Sequence, residues 1–283
     1  MRYLRESVAF SQRVRIHAAR ASGWLYRWSF TSLPKQLAAV GWLNAVDATL
    51  RSSFRRLSPR HGGWVVSLYG PLLKPRWNDQ TFSYCVSASY GFSFSRILET
   101  RRRDFSLVDV GANVGIYSLI AAKNRHCQAV LAFEPIGETF SYLETNIRMN
   151  SALAVHPFAK AIGASHGVRP ISFNPTHSGA ASMKPSSSEA CVEVDVVSAD
   201  FLRSECLPLL EGEVLLKVDV EGYEAEVLGE LEISGLLGRA SLVWIEFSEA
   251  TEKAKCHSIL ERTGYRETLR VGSEAHFDVL YER

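Results

Sequence analysis

A short apolar run, followed by glycines and then by apolar residues at helical spacing, is the clearest pattern in this chain. Residues 107–110 are largely apolar, Gly111 and Gly115 flank Asn113, and apolar side chains recur at helical spacing over residues 116–120. This order predicts a strand, a tight turn and a helix. Because open α/β sheets bind small ligands at the carboxyl ends of their strands, the turn is a candidate ligand site.

Similar patterns predict the other elements of the chain. Apolar runs predict further strands at residues 64–69, 129–133, 153–158, 214–220 and 241–247. Helical spacing of apolar residues predicts helices over 140–147, 225–231 and 251–263. Two pairs of strands do not alternate with helices, an insertion at 169–174 and 191–197 and a terminal antiparallel hairpin at 265–271 and 276–281. We therefore expect an α/β sheet with helices on both faces.

The residues before this sheet follow weaker patterns. From Ser32 to residue 54, apolar residues recur every three to four positions, which predicts an amphipathic helix of about six turns. Residues 74–96 are rich in aromatic residues and serine but show no clear period. We interpret this second segment as an irregular cap over core aromatic residues.

Composition narrows the classes of protein to which the chain can belong. With 46% hydrophobic and 22% charged residues, it has the composition of a globular protein with one substantial core. Its five cysteines show neither Cys-x-x-Cys nor His/Cys ligand spacing, so we expect no disulfide framework and no metal site. No apolar run is long enough to span a bilayer, and the first residues lack a signal-peptide pattern, so we expect a cytoplasmic protein.

Positive charge is concentrated at the start of the chain. Residues 1–60 contain eleven Lys and Arg against two acidic residues, a net charge of +9, which leaves −7 for the rest of a chain whose formal charge is +2. Arginines interleaved with aromatic residues over 1–33 can lie on a membrane surface or on RNA. The alternative is a solvated terminus, or a helix that packs on its own domain. We expect no nucleic-acid partner.

A carboxylate ends the strand that follows the glycine turn. Glu134 lies 19 residues after Gly115, the separation at which a carboxylate on the next strand meets a ribose in adenosine-binding sheets. Its two oxygens can accept hydrogen bonds from both ribose hydroxyls. The alternative role for Glu134 is a cap on the following helix.

Two more acids, Asp219 and Glu221, end the strand at 214–220. Buried carboxylates are costly unless they bind something or change protonation state. Either acid could act as the base for a hydroxyl acceptor or orient that acceptor, with Asp219 the first candidate. The alternative is that both acids cap the helix that follows.

Two motifs resemble one family of enzymes. The spacing Asp109-x-Gly111-x-Asn113-x-Gly115 resembles the first motif of class I S-adenosylmethionine-dependent methyltransferases, and it looks most like the FkbM family. The stretch Lys-x-Asp-Val-Glu-Gly-x-Glu over residues 217–224 is the most specific FkbM-like segment. The resemblance covers roughly residues 90–283. We expect a basic, partly helical extension over residues 1–70 and an FkbM-like methyltransferase domain over 71–283.

The resemblance implies a fold, a cofactor and a reaction. The fold is a Rossmann-like, seven-stranded methyltransferase sheet with helices on both faces, a terminal antiparallel hairpin and a small β insertion. The cofactor is S-adenosyl-L-methionine, and the reaction is O-methylation of a hydroxyl on a sugar or secondary metabolite, so the partner is a small-molecule or glycan acceptor. The residues that would hold the cofactor are Asp109, Gly111, Asn113, Gly115 and Glu134. Asp219 and Glu221 would face the acceptor, and residues 74–96 would contribute to its pocket.

One departure from the family and two other hypotheses complete the prediction. FkbM proteins often show Tyr-Glu about 20 residues before the first motif, where this chain has Tyr90-Gly91. An NAD-dependent oxidoreductase would share the sheet and Glu134, but its Gly-x-Gly-x-x-Gly spacing fails because residues 113 and 116 are Asn and Ile. A methyltransferase-like, non-catalytic docking protein that uses its basic first 60 residues is the second alternative.

Overall fold

The computed structural model describes residues 63–182, 190–248, 250–273 and 276–283. These residues belong to two compact units, which divide between Phe92 and Ser93. The predicted helix over 32–54 and most of the basic extension lie outside the described residues. The predicted domain boundary between residues 70 and 71 therefore stays a prediction.

The described part of the first unit, residues 63–92, contains a small hairpin and one helix. Strand β1 (Val65–Val66) pairs in antiparallel fashion with strand β2 (Leu72–Leu73), which confirms the centre of the strand predicted at 64–69. Helix α1 spans Gln80–Ser87, and the Asp79 side chain caps it by accepting a hydrogen bond of 3.0 Å from the backbone N–H of Thr81.

The prediction of an irregular cap over residues 74–96 is wrong. Helix α1 occupies the middle of this segment, and helix α2 (Ser93–Thr100) begins near its end. In α1 the buried Phe82, Cys85 and Val86 recur at helical spacing. The helical period was obscured because a half-buried aromatic residue, Tyr84, lies between these buried positions.

The second unit is built on a seven-stranded sheet. Its strands are β3 (Phe105–Val110), β4 (Cys127–Phe133), β5 (Val155–Phe158), β9 (Glu213–Val218), β10 (Ala240–Phe247), β11 (Arg266–Gly272) and β12 (Phe277–Glu282). Their spatial order is β11-β12-β10-β9-β3-β4-β5. The strands from β10 to β5 are parallel, whereas β12 pairs in antiparallel fashion with both β10 and β11. The predicted Rossmann-like sheet and its terminal antiparallel hairpin are confirmed.

A smaller sheet of three strands confirms the predicted insertion. It contains β6 (Ala161–Ile162), β7 (Gly167–Phe173) and β8 (Ala190–Val197) in the order β6-β8-β7. Buried apolar side chains from this sheet, such as Ile171 and Val194, pack against Ile136.

The helices of the second unit lie on both faces of the large sheet. After α2 they are α3 (Ile116–Lys123), α4 (Gly137–Asn150), α5 (Ala199–Phe201, which continues through one π turn and one 3-10 turn to Leu209), α6 (Glu224–Ile233), α7 (Leu236–Arg239) and α8 (Ala250–Arg262). Within the part of the chain that the structure describes, none of the helices has the length and apolar content to cross a bilayer.

Alternation along the strands separates an apolar face from a partly polar face. Val108, Val110, Leu216 and Val218 are fully or almost fully buried and belong to the main core, together with side chains of α6, α7 and α8. Burial of one such side chain contributes about 1.5–3 kcal/mol. Because successive side chains of a strand point to opposite faces, the residues between these positions lie on the other face of the sheet.

This opposite face carries the charged side chains of the central strands. Asp109 on β3 is in register with Lys217 on β9, and Lys217 is in register with Trp244 on β10. Trp244 stacks on Phe94 of α2, with ring centroids 5.2 Å apart. Near the carboxyl end of β10, Glu246 is in register with Asp278 on β12. A row of ionisable groups therefore crosses the sheet close to the ends of its parallel strands.

Candidate active site

The turn after β3 has the left-handed backbone that its sequence requires. Gly111 and Gly115 have φ angles of +79° and +86°, and Asn113 has a φ of +50°. Asn113 is one of the few residue types besides glycine that tolerate this conformation. Its side-chain oxygen accepts a hydrogen bond of 2.8 Å from the N–H of Val114. The predicted strand, turn and helix are confirmed.

Gly111 packs directly against the loop that follows β9. A Cβ atom on residue 111 would overlap with the carbonyl oxygen of Asp219. The N–H of Asp219 donates a hydrogen bond of 3.1 Å to the carbonyl oxygen of Val110. The two motifs, about 100 residues apart in the sequence, are therefore in contact at the carboxyl edge of the sheet.

Glu134, at the end of β4, contacts the same turn. Its Oε2 atom accepts a hydrogen bond of 3.0 Å from the N–H of Asn113, and its Oε1 atom accepts one of 2.9 Å from the N–H of Ile136. The side chain is 5% exposed, and burial raises its pKa to about 7 against the opposing effect of both backbone hydrogen bonds. Glu134 thus contacts the turn and also Ile136, the residue before α4. Its contact with a ribose stays a prediction. Each carboxylate oxygen keeps a second lone pair that can accept a further hydrogen bond.

Asp109 lies below the turn and is almost fully buried. Its Oδ2 atom accepts a hydrogen bond of 2.6 Å from the hydroxyl of Ser118, and its Oδ1 atom lies 3.3 Å from the Nζ atom of Lys217. These contacts hold β3, α3 and β9 together. A direct contact between Asp109 and a cofactor stays a prediction.

Lys217 joins the two motifs, and sequence reasoning did not single it out. Its Nζ atom donates a hydrogen bond of 3.0 Å to the carbonyl oxygen of Gly111 and lies 3.1 Å from the Oδ2 atom of Asp219. Burial alone would lower the pKa of Lys217, but Asp219 and Asp109 raise it above its ordinary value. A lysine inside an apolar strand was the available sequence signal, since such a buried cation needs partners.

Asp219 and Glu221 follow the carboxyl end of β9, beside other acids. Their contact with an acceptor stays a prediction. Burial, followed by the nearby charge of Glu246, raises the pKa of Asp219 well above its usual range, although Lys217 acts in the opposite direction. Burial and Glu246 also raise the pKa of Glu221 to about 7. Among the described residues, four non-glycine positions have positive φ, and Asn113 and Glu221 are two of them. Such conformations cluster at functional sites.

Three ionisable groups near these acids were missed by sequence reasoning. Glu246, at the end of β10, is hydrogen-bonded through Oε1 to the Nε2 atom of His276. This hydrogen bond raises the pKa of His276 to about 9. Burial and the charge of Glu246 raise the pKa of Asp278 to about 7. The sequence signal for Glu246 was a polar residue at the end of an apolar strand. His276 and Asp278 had no such signal, because they come close to Glu246 only through the pairing of β10 with β12.

Glu224, rather than either candidate acid, provides a backbone contact at the start of α6. Its Oε1 atom accepts a hydrogen bond of 2.8 Å from the N–H of Gly222. Burial raises the pKa of this carboxyl group above its usual value. The N-cap residue Tyr223 makes no side-chain cap hydrogen bond, and Glu224 instead fixes the turn that leads into the helix.

The β insertion contacts both motifs. The side-chain amide of Asn113 donates a hydrogen bond of 3.1 Å to the hydroxyl of Ser178, which lies in a short 3-10 turn after β7. Four residues after Ser178, the hydroxyl of Ser182 donates a hydrogen bond of 2.7 Å to the carbonyl oxygen of Glu221. Residues 178–182 therefore border the site beside Asn113 and Glu221, the two residues with positive φ.

Comparison with known proteins gives one family match and several relatives. Residues 109–267 match the model of the methyltransferase FkbM domain. The chain is 33% identical over 136 residues to the hexuronic acid methyltransferase AglP of Haloferax volcanii, which covers 47% of this chain and 52% of that protein. It is 32% identical over 152 residues to methyltransferase sdnD of Sordaria araneosa, covering 43% of this chain and 58% of that protein. The chain thus spans between half and three fifths of the length of these relatives.

Solved structures that match part of this chain have low sequence identity to it. The tRNA m1G37 methyltransferase of M. jannaschii matches with a TM-score of 0.44 and 11% identity, covering 80% of this chain and 58% of that chain. The ribosomal protein L11 methylase of Lactobacillus delbrueckii subsp. bulgaricus matches with a TM-score of 0.43 and 12% identity, covering 67% of this chain and 76% of that chain.

Proposed function

This chain belongs to the FkbM methyltransferase family, and from that premise we propose that it transfers a methyl group from S-adenosylmethionine to a hydroxyl group of a small molecule or glycan. The observation that carries the proposal is the direct contact of three strand ends. Asn113, in the turn after β3, bonds to Glu134, while Gly111 of the same turn packs on Asp219. The proposed cofactor side and the proposed acceptor side would thus meet at one edge of the sheet.

The residues of the turn and Glu134 fit an adenosyl group. Glu134 is a buried carboxyl group whose oxygens can each accept a further hydrogen bond, and it would hold a ribose as carboxylates at this position do in adenosine-binding sheets. Gly111, Asn113 and Gly115 would line the cofactor with backbone rather than bulky side chains. Asp109 would act on this turn through Ser118 and Lys217. When bound, S-adenosylmethionine supplies a methyl group on a positively charged sulfur.

The acceptor side provides carboxyl groups that can hold or remove a proton. Asp219 would accept the proton of the acceptor hydroxyl or orient that hydroxyl, and Glu221 is the second candidate for this role. The pKa values of both carboxyl groups are raised toward neutral pH. A general base is most effective when its pKa lies near the working pH, so these groups would be better bases at neutral pH than ordinary carboxylates. Alignment of the acceptor oxygen with the methyl group would supply most of the remaining catalysis.

The acceptor class that we propose is a sugar or related polyhydroxylated metabolite. One of the relatives is described as a hexuronic acid methyltransferase. Carboxylates are strong acceptors of hydrogen bonds from hydroxyl groups. Asp219, Glu221 and Glu246 would provide three such groups on the proposed acceptor side. This combination favours a polyhydroxylated acceptor over an apolar one.

The test is transfer of a labelled methyl group from S-adenosylmethionine to a panel of hexuronic acids, neutral hexoses and hydroxylated metabolites. We expect methylation of at least one sugar and a loss of about 100-fold or more in Asp219→Asn, since a general base contributes about 10²–10⁴-fold. Glu226→Gln, a change at an exposed acid of α6, is the control and should retain activity. Reduction of NAD in the absence of methyl transfer would contradict the proposal.

We also propose that the basic residues 1–60 contact an anionic membrane surface. The charge of this segment and its aromatic residues support the proposal. Sedimentation of the full chain with vesicles of phosphatidylcholine alone, or mixed with phosphatidylserine, tests it. We expect binding that requires phosphatidylserine and weakens with salt, and equal sedimentation with both vesicles would contradict it.

A further inference from the structure

Lys217 is enclosed by oxygen atoms from three different parts of the site. Its Nζ atom lies 3.0 Å from the carbonyl oxygen of Gly111, 3.3 Å from Oδ1 of Asp109 and 3.1 Å from Oδ2 of Asp219. The ammonium group donates a hydrogen bond to the carbonyl oxygen of Gly111 and forms ion pairs with the two carboxylates. The residue is 3% exposed. Lys217 is therefore too deeply buried to bind a substrate itself.

The charge of Lys217 balances two buried carboxyl groups. Asp109 is 1% exposed, and the side chain of Asp219 is 25% exposed. Without the ammonium group, these carboxylates would lie close to each other and to Glu246 with no buried cation between them, which is strongly unfavourable. Lys217 lowers the pKa of Asp219, against the effects of burial and Glu246. It therefore favours the ionised form of Asp219, which a proton acceptor requires.

Other groups around the ammonium group of Lys217 affect its pKa and those of the neighbouring acids. The charge of Glu246 on β10 raises the pKa of Lys217. The ring of Tyr117 on α3 has its centroid 5.8 Å from the Nζ atom. Glu221 raises the pKa of Asp219 from the loop after β9, and Lys217 in turn lowers the pKa of Asp278 on β12. Lys217 thus remains charged at neutral pH, while the surrounding acids titrate.

One atom of Lys217 therefore contacts both halves of the site. The carbonyl oxygen of Gly111 belongs to the turn on the cofactor side, whereas Asp219 lies on the acceptor side. We propose that Lys217 is a positioning residue for methyl transfer, which fixes the Gly111 turn and the Asp219 carboxylate relative to each other and keeps that carboxylate ionised. This inference rests on the proposed function, because it assigns the two sides of the site to cofactor and acceptor.

The first test compares Lys217→Met with Lys217→Arg and with the control Lys253→Met. Lys253 forms an ion pair with Glu267, outside the site. We expect Lys217→Met to reduce kcat for the acceptor by about 100-fold, with a smaller effect on KM. The reason is that a base held in the wrong position slows the reaction about as much as a missing base. The acidic limb of the pH profile of kcat/KM should move to higher pH. Lys217→Arg should recover part of both effects, and Lys253→Met should match the wild type.

The second test uses a double variant, which also guards against a failure of Lys217→Met to fold. In an Asp219→Asn background one buried carboxylate is absent, so removal of the ammonium leaves less uncompensated charge. If Lys217 acts through Asp219, the further change Lys217→Met should alter the residual kcat by less than about threefold, since coupled residues are not additive.

Three results would overturn the inference. The first is a Lys217→Met enzyme with the wild-type kcat and pH profile. The second is a full additional loss of kcat in the double variant, which would show that Lys217 acts independently of Asp219. The third is a wild-type chain that neither binds S-adenosylhomocysteine nor transfers a methyl group, which would remove the proposed function together with this inference. The first two results would leave the proposed function intact.

Discussion

The carbonyl oxygen of Asp219 fills the space that a Cβ atom on residue 111 would need. Gly111 also has a φ of +79°, which side chains other than glycine adopt at a cost. Gly111→Ala should therefore lower the free energy of unfolding by about 3 kcal/mol, the sum of overpacking and backbone strain. Urea denaturation measures this value.

Gly137→Ala is the matched control for that change. Gly137 begins helix α4, and a Cβ atom there would meet no atom within 4 Å. We expect this variant to have the wild-type stability or a slightly greater one. Equal urea midpoints for the two variants would show that the turn and the Asp219 loop are not packed as described.

Methyl transfer should depend on pH through the acids of the acceptor side. The pKa of Glu221 is raised to about 7 by burial and by Glu246, and that of Asp219 is raised as well. Because a base must be ionised, kcat/KM should fall as the pH drops through about 7. The measurement is a pH profile of the wild type and of Glu221→Gln, in which the limb should change shape. A wild-type profile that is flat between pH 5 and pH 8 would contradict the role of these acids.

The raised pKa of Asp278 should make the protein less stable as the pH rises, whereas methyl transfer should become faster. The folded-state pKa of Asp278 is about 7, above its ordinary value of 3.8, because of burial and Glu246. The folded protein then binds more protons than the unfolded chain between these two values, so the free energy of unfolding falls as the pH rises through this range. Asp278→Asn should reduce this fall.

Chemical denaturation at pH 4 and at pH 8 measures the effect of Asp278. The wild type should lose more stability than Asp278→Asn between the two pH values. Asp104→Asn is a control, since the Asp104 side chain is 66% exposed. A variant at residue 278 with the same pH dependence as the wild type would show that this carboxyl group is not perturbed by its surroundings.

Tyr265 should stabilise the core without affecting the site. Its ring is 1% exposed, and its hydroxyl lies 2.7 Å from the carbonyl oxygen of Leu237 and 2.6 Å from that of Ala240. Tyr265→Phe should lower the free energy of unfolding by about 1–3 kcal/mol, because a buried carbonyl group loses its donor. The affinity for S-adenosylhomocysteine, measured by calorimetry, should remain that of the wild type. A loss of affinity would indicate that this part of the core shapes the cofactor side.

The strands and the terminal hairpin could be predicted because their signals are local. Residues 129–133 and 241–247 are apolar runs with clear ends, and each lies within an observed strand. The turn at 111–115 could be predicted because glycine and asparagine tolerate positive φ. Helix α1 was missed, although Asp79 is an N-cap residue, because aromatic residues obscured the apolar period.

The contacts of the candidate site could be predicted only in part. Glu134 and the glycine turn were expected to be neighbours, and the hydrogen bond to Asn113 places them together. The role of Lys217 could not be seen, because its contacts with Asp109 and Gly111 depend on the register between β9 and β3. The same holds for Glu246 and His276, which come together only through the antiparallel pairing of β10 with β12.

Calorimetric titration of S-adenosylhomocysteine into the wild-type chain, Glu134→Gln and the exposed control Glu138→Gln tests the central claim most directly, which is that the Gly111–Gly115 turn and Glu134 together hold an adenosyl group. We expect one site in the wild type, unchanged affinity in Glu138→Gln and an affinity about tenfold lower in Glu134→Gln, because the loss of charge weakens the hydrogen bonds from the ribose. NAD should produce no binding heat. A wild type that does not bind S-adenosylhomocysteine, or a Glu134→Gln variant that binds it as tightly as the wild type, would contradict the account.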